Sequence, residues 1–329
     1  MPQLCSGFTQ TETKVFSIKD ITSVFVHKKT VITGCKINYS LWVLDTLETG
    51  YHSIETIFVP LSAPADALTI EYESPKTFQG NCKGSIAITC PRPGLDQKKN
   101  TLTDAHSVYC NTHPLPHDLT VRMYKNVPIG GGLGGGSANA AGLLLFMNSL
   151  AAESGLTPAT HEELVAMAAQ VGADVPFFLS PGPKVGCGTG EKLTPCPNPL
   201  AGKHLALVSP PLAISTAWAF RTLDEYRLEN KISLSKSLTR GGVQAISTFS
   251  CGHAPHNDFE SVVFNSYPEL LHIRDSLLGS GATAALLSGT GSCMFGIFDT
   301  AEQAKAYRVS ESCPTWVHSF DASGDAIRP

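Results

Sequence analysis

The stretch Pro128-Ile-Gly-Gly-Gly-Leu-Gly-Gly-Gly-Ser-Ala-Asn139 places six glycines between an alternating apolar segment, Leu119 to Lys125, and a run of helix formers that starts near Ser137. Because glycine has no Cβ atom, backbone N–H groups in this loop can converge closely on a ligand. The N-terminus of the following helix adds about half a positive charge. The segment therefore predicts a site for an anion such as a nucleotide phosphate, with a flexible turn as the alternative.

Two common phosphate motifs fit this loop less well. Gly130, Gly132 and Gly135 satisfy the GxGxxG spacing of dinucleotide-binding folds, which require a strand after the first helix. Here a second helix is predicted instead, because Thr160 and Glu163 have the spacing of a capping box. No Gly-Lys-Ser/Thr sequence closes the loop, so the P-loop motif is absent as well.

Hydrophobic patterns predict a β-rich first part and a mixed α/β second part. In the first part, strands are expected at Val24 to His27, Lys36 to Val43, Ile54 to Leu61, Leu68 to Tyr72 and Leu119 to Lys125, with helices at Leu102 to Cys110, from Ser137, and from Thr160 to Val171. A short strand, Lys184 to Cys187, follows within a Pro/Gly-rich passage. Beyond it, strands are expected at Leu205 to Ser209, Ala284 to Leu287 and Cys293 to Phe298, and helices at Thr216 to Glu229, Pro268 to Leu278 and Ala301 to Val309. The passage places a domain boundary near Leu200, which gives domains 1–199 and 200–329.

Length and composition are those of an ordinary globular chain. The 329 residues favour two domains, and 28 acidic against 24 basic residues leave a net charge of −4. No dense Lys/Arg run suits a nucleic-acid backbone, and no apolar stretch approaches the ~20 residues that span a bilayer. The ten cysteines form no CxxC pair, and the N-terminus has no export signal. We expect a cytoplasmic protein with reduced cysteines and with neither nucleic acid nor membrane as a partner.

Two charged residues suit phosphoryl transfer, which needs a proton acceptor and neutralised phosphate charge. Asp174 follows a predicted helix end and precedes an apolar run, so its carboxylate is expected at the mouth of a cleft; a helix-stop aspartate is the alternative. Lys36 lies in an apolar strand, where its ammonium needs an anionic partner unless it reaches water at the strand edge.

Three motifs together resemble those of the GHMP kinases, in the same order along most of the chain. They are the lysine strand CKINYSL at 35–41, the loop PIGGGLGGGSANAA at 128–141, and the late glycine turn SGTGSCMFG at 288–296. The resemblance implies an α+β, two-domain GHMP kinase fold with the active site in the cleft between the domains. It also implies an ATP-dependent small-molecule kinase that uses Mg²⁺.

The resemblance assigns roles to particular residues. Asp174 becomes the proton acceptor, and Lys36 orients it and screens the γ-phosphate. ATP-binding residues are expected at Asn100, Lys125, Pro128, Gly130, Gly131, Gly132, Gly134, Gly135, Gly136 and Ser137. Ser137 is either a Mg²⁺ ligand or the cap of the following helix. The turn from Ser288 to Ser292 either closes the phosphate end of the cleft or is an ordinary turn between strands.

Further motifs concern the phosphoryl acceptor: GYHSIETIF at 50–58, GADVPFF at 172–178 and NDFES at 257–261. They are similar to those of family members that phosphorylate the 2-hydroxyl of a cytidine diphosphate sugar alcohol, an isoprenoid-precursor step of the non-mevalonate pathway. Substrate-binding residues are then expected at Asn38, Tyr51, His52, Thr216, Phe220 and Thr290, with Tyr51, His52 and Phe220 around the cytosine. For Phe220, a place in the hydrophobic core is the alternative.

Two other functions stay open from the sequence. One is another GHMP kinase, acting on mevalonate, homoserine or a sugar. The other is a non-catalytic nucleotide-binding protein, against which the presence of both Lys36 and Asp174 speaks. Either a monomer or a homodimer is compatible with the sequence.

Overall fold

The computed structural model describes residues 26–73, 83–92, 95, 100–232, 254–308 and 313–327. These residues form two compact units. Unit 1 contains the described residues up to Gly34 and those within Ala65–Val127 and Gly135–Pro181. Unit 2 contains those within Cys35–Pro64, Pro128–Gly134 and Gly182–Pro329.

The first strands of the chain are much longer than the sequence predicts. Strand β1 spans Val26–Thr46 and β2 spans His52–Glu73, so that four predicted short strands become two long ones. Two polar residues between the predicted runs, Lys29 and Thr33, are buried and paired within β1. Lys29 Nζ donates to Glu153 Oε2 at 2.8 Å, and Thr33 Oγ1 donates to Asn139 Oδ1 at 2.5 Å. Val24, where the first of these strands was predicted to begin, lies outside the described residues.

Unit 1 is a sheet with helices packed into one hydrophobic core. Its strands lie in the order β3–β4–β2–β1, where β3 is Ile86–Thr89 and β4 is Leu119–Tyr124. The predicted alternation of β4 is confirmed, since Leu119, Val121 and Met123 are buried and the residues between them are exposed. The helices are α1 (Thr101–Thr112), α2 (Gly135–Glu153) and α3 (His161–Val171), followed by a 3₁₀ turn at Pro176–Leu179.

The start of α3 confirms the predicted capping box. The hydroxyl of Thr160 accepts from Glu163 N at 3.2 Å, and the Glu163 carboxylate accepts from Thr160 N at 2.7 Å. The start of α2 differs from its prediction, because this helix begins at Gly135 and includes Ser137 in its first turn. Ser137 therefore does not cap α2, and that alternative for the residue is wrong.

Unit 2 is built on an antiparallel sheet with the strand order β12–β11–β7–β10–β9. The strands are β7 (His204–Val208), β9 (Ala284–Leu287), β10 (Met294–Phe298), β11 (Thr315–Phe320) and β12 (Ala326–Ile327). The helices are α4 (Thr216–Glu229), α5 (Glu260–Ser266), α6 (Pro268–Gly279) and α7 (Ala301–Ala306). Helix α7 ends at Ala306, before the predicted end at Val309, because Tyr307 already has an extended backbone with φ −67° and ψ 127°.

Three short strands complete the strand pairing of unit 2. β5 (Lys184–Cys187) pairs with the part of β2 in this unit and with β6 (Lys192–Pro195), and β8 (His256–Asn257) lies parallel to β1. The sequence predicted β5 but neither β6 nor β8.

The two units alternate along the chain, since β1 and β2 are long enough to contribute residues to both. The last change of unit falls between Pro181 and Gly182. The compact units therefore do not divide the chain at one position. The predicted boundary between two domains after residue 199 stays a prediction. In the described part of the chain, no helix has the length and apolar character needed to cross a membrane. Within the described residues, the cysteines at 35, 90, 110, 187, 196, 293 and 313 form no disulfide, in line with the prediction of reduced thiols.

Candidate active site

The glycine loop has a defined backbone that few other residues could adopt. Gly130, Gly132 and Gly134 have φ angles of +69°, +75° and +67°, in the left-handed region that side chains with a Cβ atom rarely occupy. Three such residues within five positions explain why glycine is needed at these points of the loop.

At Gly131 and Gly132, the space left by the missing Cβ atoms is filled by the protein itself. A Cβ atom on Gly132 would lie 2.0 Å from the carbonyl oxygen of Ser288, and one on Gly131 would lie 2.6 Å from Cys293 Sγ. Burial raises the pKa of Cys293 to about 12, so this thiol stays protonated and packs as a small apolar group. These two glycines therefore allow the loop to contact the late turn, a reason that the sequence did not reveal.

Lys36 is held beside the loop. Its Nζ atom donates to Gly132 O at 3.0 Å and to Asn38 Oδ1 at 2.6 Å, and it lies 5.3 Å from the centroid of the Phe58 ring. The residue is only 4% exposed. The alternative of a strand-edge lysine reaching water is therefore wrong, and two residues predicted for the site, Lys36 and Asn38, are in direct contact.

The orientation of the Asn38 amide is set by a second hydrogen bond. Asn38 Nδ2 donates to Thr56 Oγ1 at 2.8 Å, and that hydroxyl donates to Ser40 O at 2.7 Å. Because the amide nitrogen is committed to Thr56, the amide oxygen faces Lys36. Thr56 was not predicted as a site residue, although it lies in the quoted motif GYHSIETIF.

The turn from Ser288 to Ser292 joins β9 to β10, so the reading as a turn between strands is correct. It also meets the glycine loop, since Ser288 Oγ donates to Gly132 O at 3.1 Å. Asn257, which is buried, supports the turn by donating from Nδ2 to Leu287 O and Gly289 O, both at 2.8 Å.

Two more predicted residues meet at this turn. The hydroxyls of Thr216 and Thr290 lie 3.3 Å apart, which brings the start of α4 to the turn. The half-buried carboxylate of Glu260 accepts from Leu287 N at 2.8 Å; its partial burial raises its pKa, while this hydrogen bond lowers it.

Of the three residues predicted around the cytosine, two are in contact. The His52 and Phe220 rings stack with centroids 4.8 Å apart and planes 23° apart. Phe220 also makes an edge contact with the buried ring of Phe259 at 4.8 Å, so it is partly a core residue. Tyr51 is 69% exposed. His52 Nε2 lies 2.9 Å from Asp224 Oδ1, a partner that the sequence did not suggest.

In unit 1, a buried carboxylate organises the chain on both sides of the loop. Asp66 is fully buried, and its oxygens accept from Asn126 N at 2.7 Å, Val127 N at 2.8 Å and Asn139 Nδ2 at 3.0 Å. It also forms an ion pair with Lys125, a residue predicted to bind ATP. Lys125 thus has a structural partner, and its ATP role stays a prediction.

The remaining predicted residues of unit 1 lie at the ends of helices. Asn100 caps α1, accepting through its side chain from Leu102 N and Thr103 N at 2.9 and 3.0 Å. Gly136 O accepts from Thr101 Oγ1 at 3.0 Å. Asp174 is half-buried in the turn between α3 and the 3₁₀ turn, after the helix end that the sequence predicted.

Comparison with known proteins decides the family. Residues 100–182 match the GHMP kinases N terminal domain, and residues 238–314 match the GHMP kinases C terminal. A 4-diphosphocytidyl-2-C-methyl-D-erythritol kinase of Nitratidesulfovibrio vulgaris is 40% identical over 277 residues, which cover 84% of this chain and 92% of that protein. The chain belongs to the GHMP kinase family. It is an ATP-dependent small-molecule kinase, as the resemblance implied.

Solved structures agree with this membership of the GHMP kinases. A crystal structure of 4-(cytidine 5'-diphospho)-2C-methyl-D-erythritol kinase matches with a TM-score of 0.65 and 28% identity, covering 88% of this chain and 97% of that one. Homoserine kinase from Cytophaga hutchinsonii matches with a TM-score of 0.61 at 16% identity, covering 96% and 100%, which shows a shared fold alone. The predicted α+β GHMP kinase fold is confirmed. The two family matches leave residues 183–237 unassigned, so the boundary after 199 remains untested.

Sequence reasoning missed the residues of this GHMP kinase that support the predicted ones. Asp66, Thr56, Asp224 and Asn257 each hold a predicted residue or a motif backbone in place. The sequence feature that could have pointed to them is an isolated polar residue within an apolar run, such as Asp66 in Pro64-Ala-Asp-Ala-Leu68. Such a residue must find a partner when it is buried.

We predict that Asp66→Asn destabilises the protein by about 3–5 kcal/mol, because removing one member of a buried ion pair leaves the other charge uncompensated. The measurement is the free energy of unfolding in urea, followed by circular dichroism.

Glu71→Gln is the matched control on the same strand. It breaks the exposed pair of Glu71 and Lys28, whose side chains are 38% and 41% exposed, and should cost less than about 1 kcal/mol. Equal effects of the two substitutions would contradict the structural role of Asp66.

Proposed function

We propose that this GHMP kinase transfers the γ-phosphoryl group of ATP to the 2-hydroxyl of 4-diphosphocytidyl-2-C-methyl-D-erythritol, a step of the non-mevalonate isoprenoid pathway. The main support is the 40% identity to the 4-diphosphocytidyl-2-C-methyl-D-erythritol kinase of Nitratidesulfovibrio vulgaris, which extends over 92% of that protein. The buried Lys36 at the glycine loop supports a phosphate-handling role for this chain.

The residues fit ATP and Mg²⁺. The left-handed glycines 130, 132 and 134 lead directly into α2, and the first N–H groups of a helix have no partner within it. These groups and the helix dipole would hold phosphate oxygens. Mg²⁺ supplies charge neutralisation at the phosphates when it is bound. The described residues contain no cluster of three metal-ligating side chains, which fits a Mg²⁺ held mainly by phosphates and water, with the Ser137 hydroxyl as one ligand.

Lys36 and Asp174 would carry out the chemistry. Asn38 and Gly132 fix the Lys36 ammonium beside the loop, where it would offset the charge that develops on the γ-phosphate. We assign proton acceptance from the substrate hydroxyl to Asp174 on the family resemblance. The cytoplasmic location, the absence of a nucleic-acid partner and the monomeric or dimeric state stay predictions.

A panel of acceptors tests this function. The purified protein is incubated with ATP, Mg²⁺ and one acceptor at a time, and ADP release is followed. We expect release with 4-diphosphocytidyl-2-C-methyl-D-erythritol and none above background with mevalonate, homoserine or galactose. Preference for one of the latter would identify another GHMP kinase, and no release with any acceptor would favour a non-catalytic nucleotide-binding protein.

We predict that Gly134→Val lowers the affinity for ATP by more than about tenfold, because a β-branched residue is strained at the φ of +67° that the loop requires. Calorimetric titration with a non-hydrolysable ATP analogue measures it. Gly155→Val is the control, since Gly155 also has a left-handed φ of +73° but lies in open space between α2 and α3. Unchanged affinity in Gly134→Val would refute the loop assignment.

For Asp174→Asn, we predict a fall in turnover of about a hundredfold or more with little change in ATP affinity, because proton acceptance is lost while the loop stays intact. Steady-state kinetics with the cytidine acceptor measure the turnover rate, and calorimetry with ATP measures the affinity. Asp275→Asn, which removes an exposed carboxylate on α6, should behave as the unmodified protein. An active Asp174→Asn variant would exclude Asp174 from the mechanism.

Base recognition gives a further prediction. His52→Ala should raise the KM for the cytidine acceptor and reduce the preference for it over its uridine analogue, because each lost hydrogen bond costs about 1–3 kcal/mol. Phe220→Ala should weaken both acceptors through lost stacking, while the KM for ATP barely moves. The control is His272→Ala, on the exposed face of α6. Intact cytidine preference in His52→Ala would contradict the acceptor-site assignment.

A further inference from the structure

Asp224 and His52 form a pair that no motif of the chain suggests. Asp224 Oδ1 lies 2.9 Å from His52 Nε2, and the histidine side chain is only 11% exposed. The face of the same ring lies against Phe220 at 4.8 Å. The imidazole is thus held both by a stacking contact and by a hydrogen bond at one of its two nitrogens.

Both partners of the ring come from α4. Phe220 and Asp224 are four residues apart, a spacing that puts them on the same face of a helix. His52 is the first residue of β2. A half-turn of the imidazole about its Cβ–Cγ bond would replace Nε2 by a carbon atom opposite Asp224, so the carboxylate also determines which side of the ring carries Nδ1.

An ionised carboxylate can only accept a hydrogen bond. Nε2 must therefore carry the proton that Asp224 accepts, and in the neutral ring Nδ1 then keeps its lone pair. Nδ1 makes no hydrogen bond to any other residue in the described part of the chain. The pair with Asp224 leaves His52 as a hydrogen-bond acceptor of fixed orientation.

We propose that Asp224 is a positioning residue that determines base specificity, by holding His52 in the tautomer whose Nδ1 accepts a hydrogen bond from the 4-amino group of cytosine. Uracil has a carbonyl oxygen at that position, so two acceptors would face each other and neither would be satisfied. The inference rests on the proposed function, because it concerns the base of the acceptor substrate.

Kinetics of Asp224→Asn test the inference. An amide can donate to Nε2 and so shift the proton to Nδ1, which would then donate to the uracil oxygen. We expect the ratio of kcat/KM for the cytidine acceptor to kcat/KM for its uridine analogue to fall by about tenfold or more. A merely structural role would lower both values together and leave the ratio unchanged, which would overturn the proposal.

Glu225→Gln is the matched control, because it removes the neighbouring, 62% exposed carboxylate of α4 that lies near Arg221. This variant should keep the ratio. Asp224→Glu keeps an acceptor-only group on α4 and should retain more of the cytidine preference than Asp224→Asn. If Glu225→Gln lowered the cytidine-to-uridine ratio of kcat/KM as much as Asp224→Asn does, the effect would come from the charge of α4 and not from the hydrogen bond. That result would also overturn the proposal.

The tautomer can be observed without any substrate. Nitrogen NMR of the protein labelled with ¹⁵N-histidine, with the His52 signals assigned by their loss in His52→Gln, should show Nε2 protonated and Nδ1 unprotonated. Protonation of Nδ1 in the unmodified protein would overturn the inference even if Asp224→Asn failed to fold. Failure of the unmodified protein to phosphorylate the cytidine acceptor would instead overturn the proposed function, while this spectrum would still decide the role of Asp224 in fixing the ring.

Discussion

The candidate site in unit 2 depends on one contact at Gly132. Its carbonyl oxygen accepts from Lys36 Nζ and from Ser288 Oγ, and its missing Cβ atom leaves the space that the Ser288 carbonyl occupies. Any side chain at this position would separate the loop from the late turn, because the backbone of Ser288 cannot yield as a flexible side chain could. Three motifs that lie far apart in the sequence are thus joined at a single peptide unit.

A comparable anchor in unit 1 holds the chain on either side of the loop. The buried Asp66 carboxylate accepts from the backbone of Asn126 and Val127, before the loop, and from the Asn139 side chain, in the helix after it. The backbone N–H of the buried Val127, which would otherwise be unpaired in the interior, is satisfied in this way. The glycines supply the unusual dihedral angles, and Asp66 supplies hydrogen bonds to the chain before and after them.

Features with a local cause could be predicted from the sequence. The alternation of β4 and the capping box of Thr160 and Glu163 depend on residues within one element, and the structure confirms both. The apolar strand around Lys36 left two alternatives, burial with a partner or a strand-edge position in water, and the structure shows the residue buried. The predicted start of α2 was two residues too late, because Gly135 and Gly136 are poor helix formers. In the structure, a Cβ atom on Gly135 would lie 2.7 Å from Val127 Cγ1, and Gly136 O accepts from Thr101 Oγ1.

The supporting partners could not be predicted, because they join residues with no regular spacing. Asp66 and Asn139 are 73 positions apart, and His52 and Asp224 are 172 apart. A motif defines the type of a residue, but its partner decides which atom donates and which accepts, as Thr56 does for the Asn38 amide. Asp224 lies on α4, whereas the Gly132 contact joins β1, the glycine loop and the late turn, so the role proposed for Asp224 can be tested separately from that of the loop. Under that proposal, acceptor preference would depend on a residue that lies outside the motifs by which the sequence resembles the family.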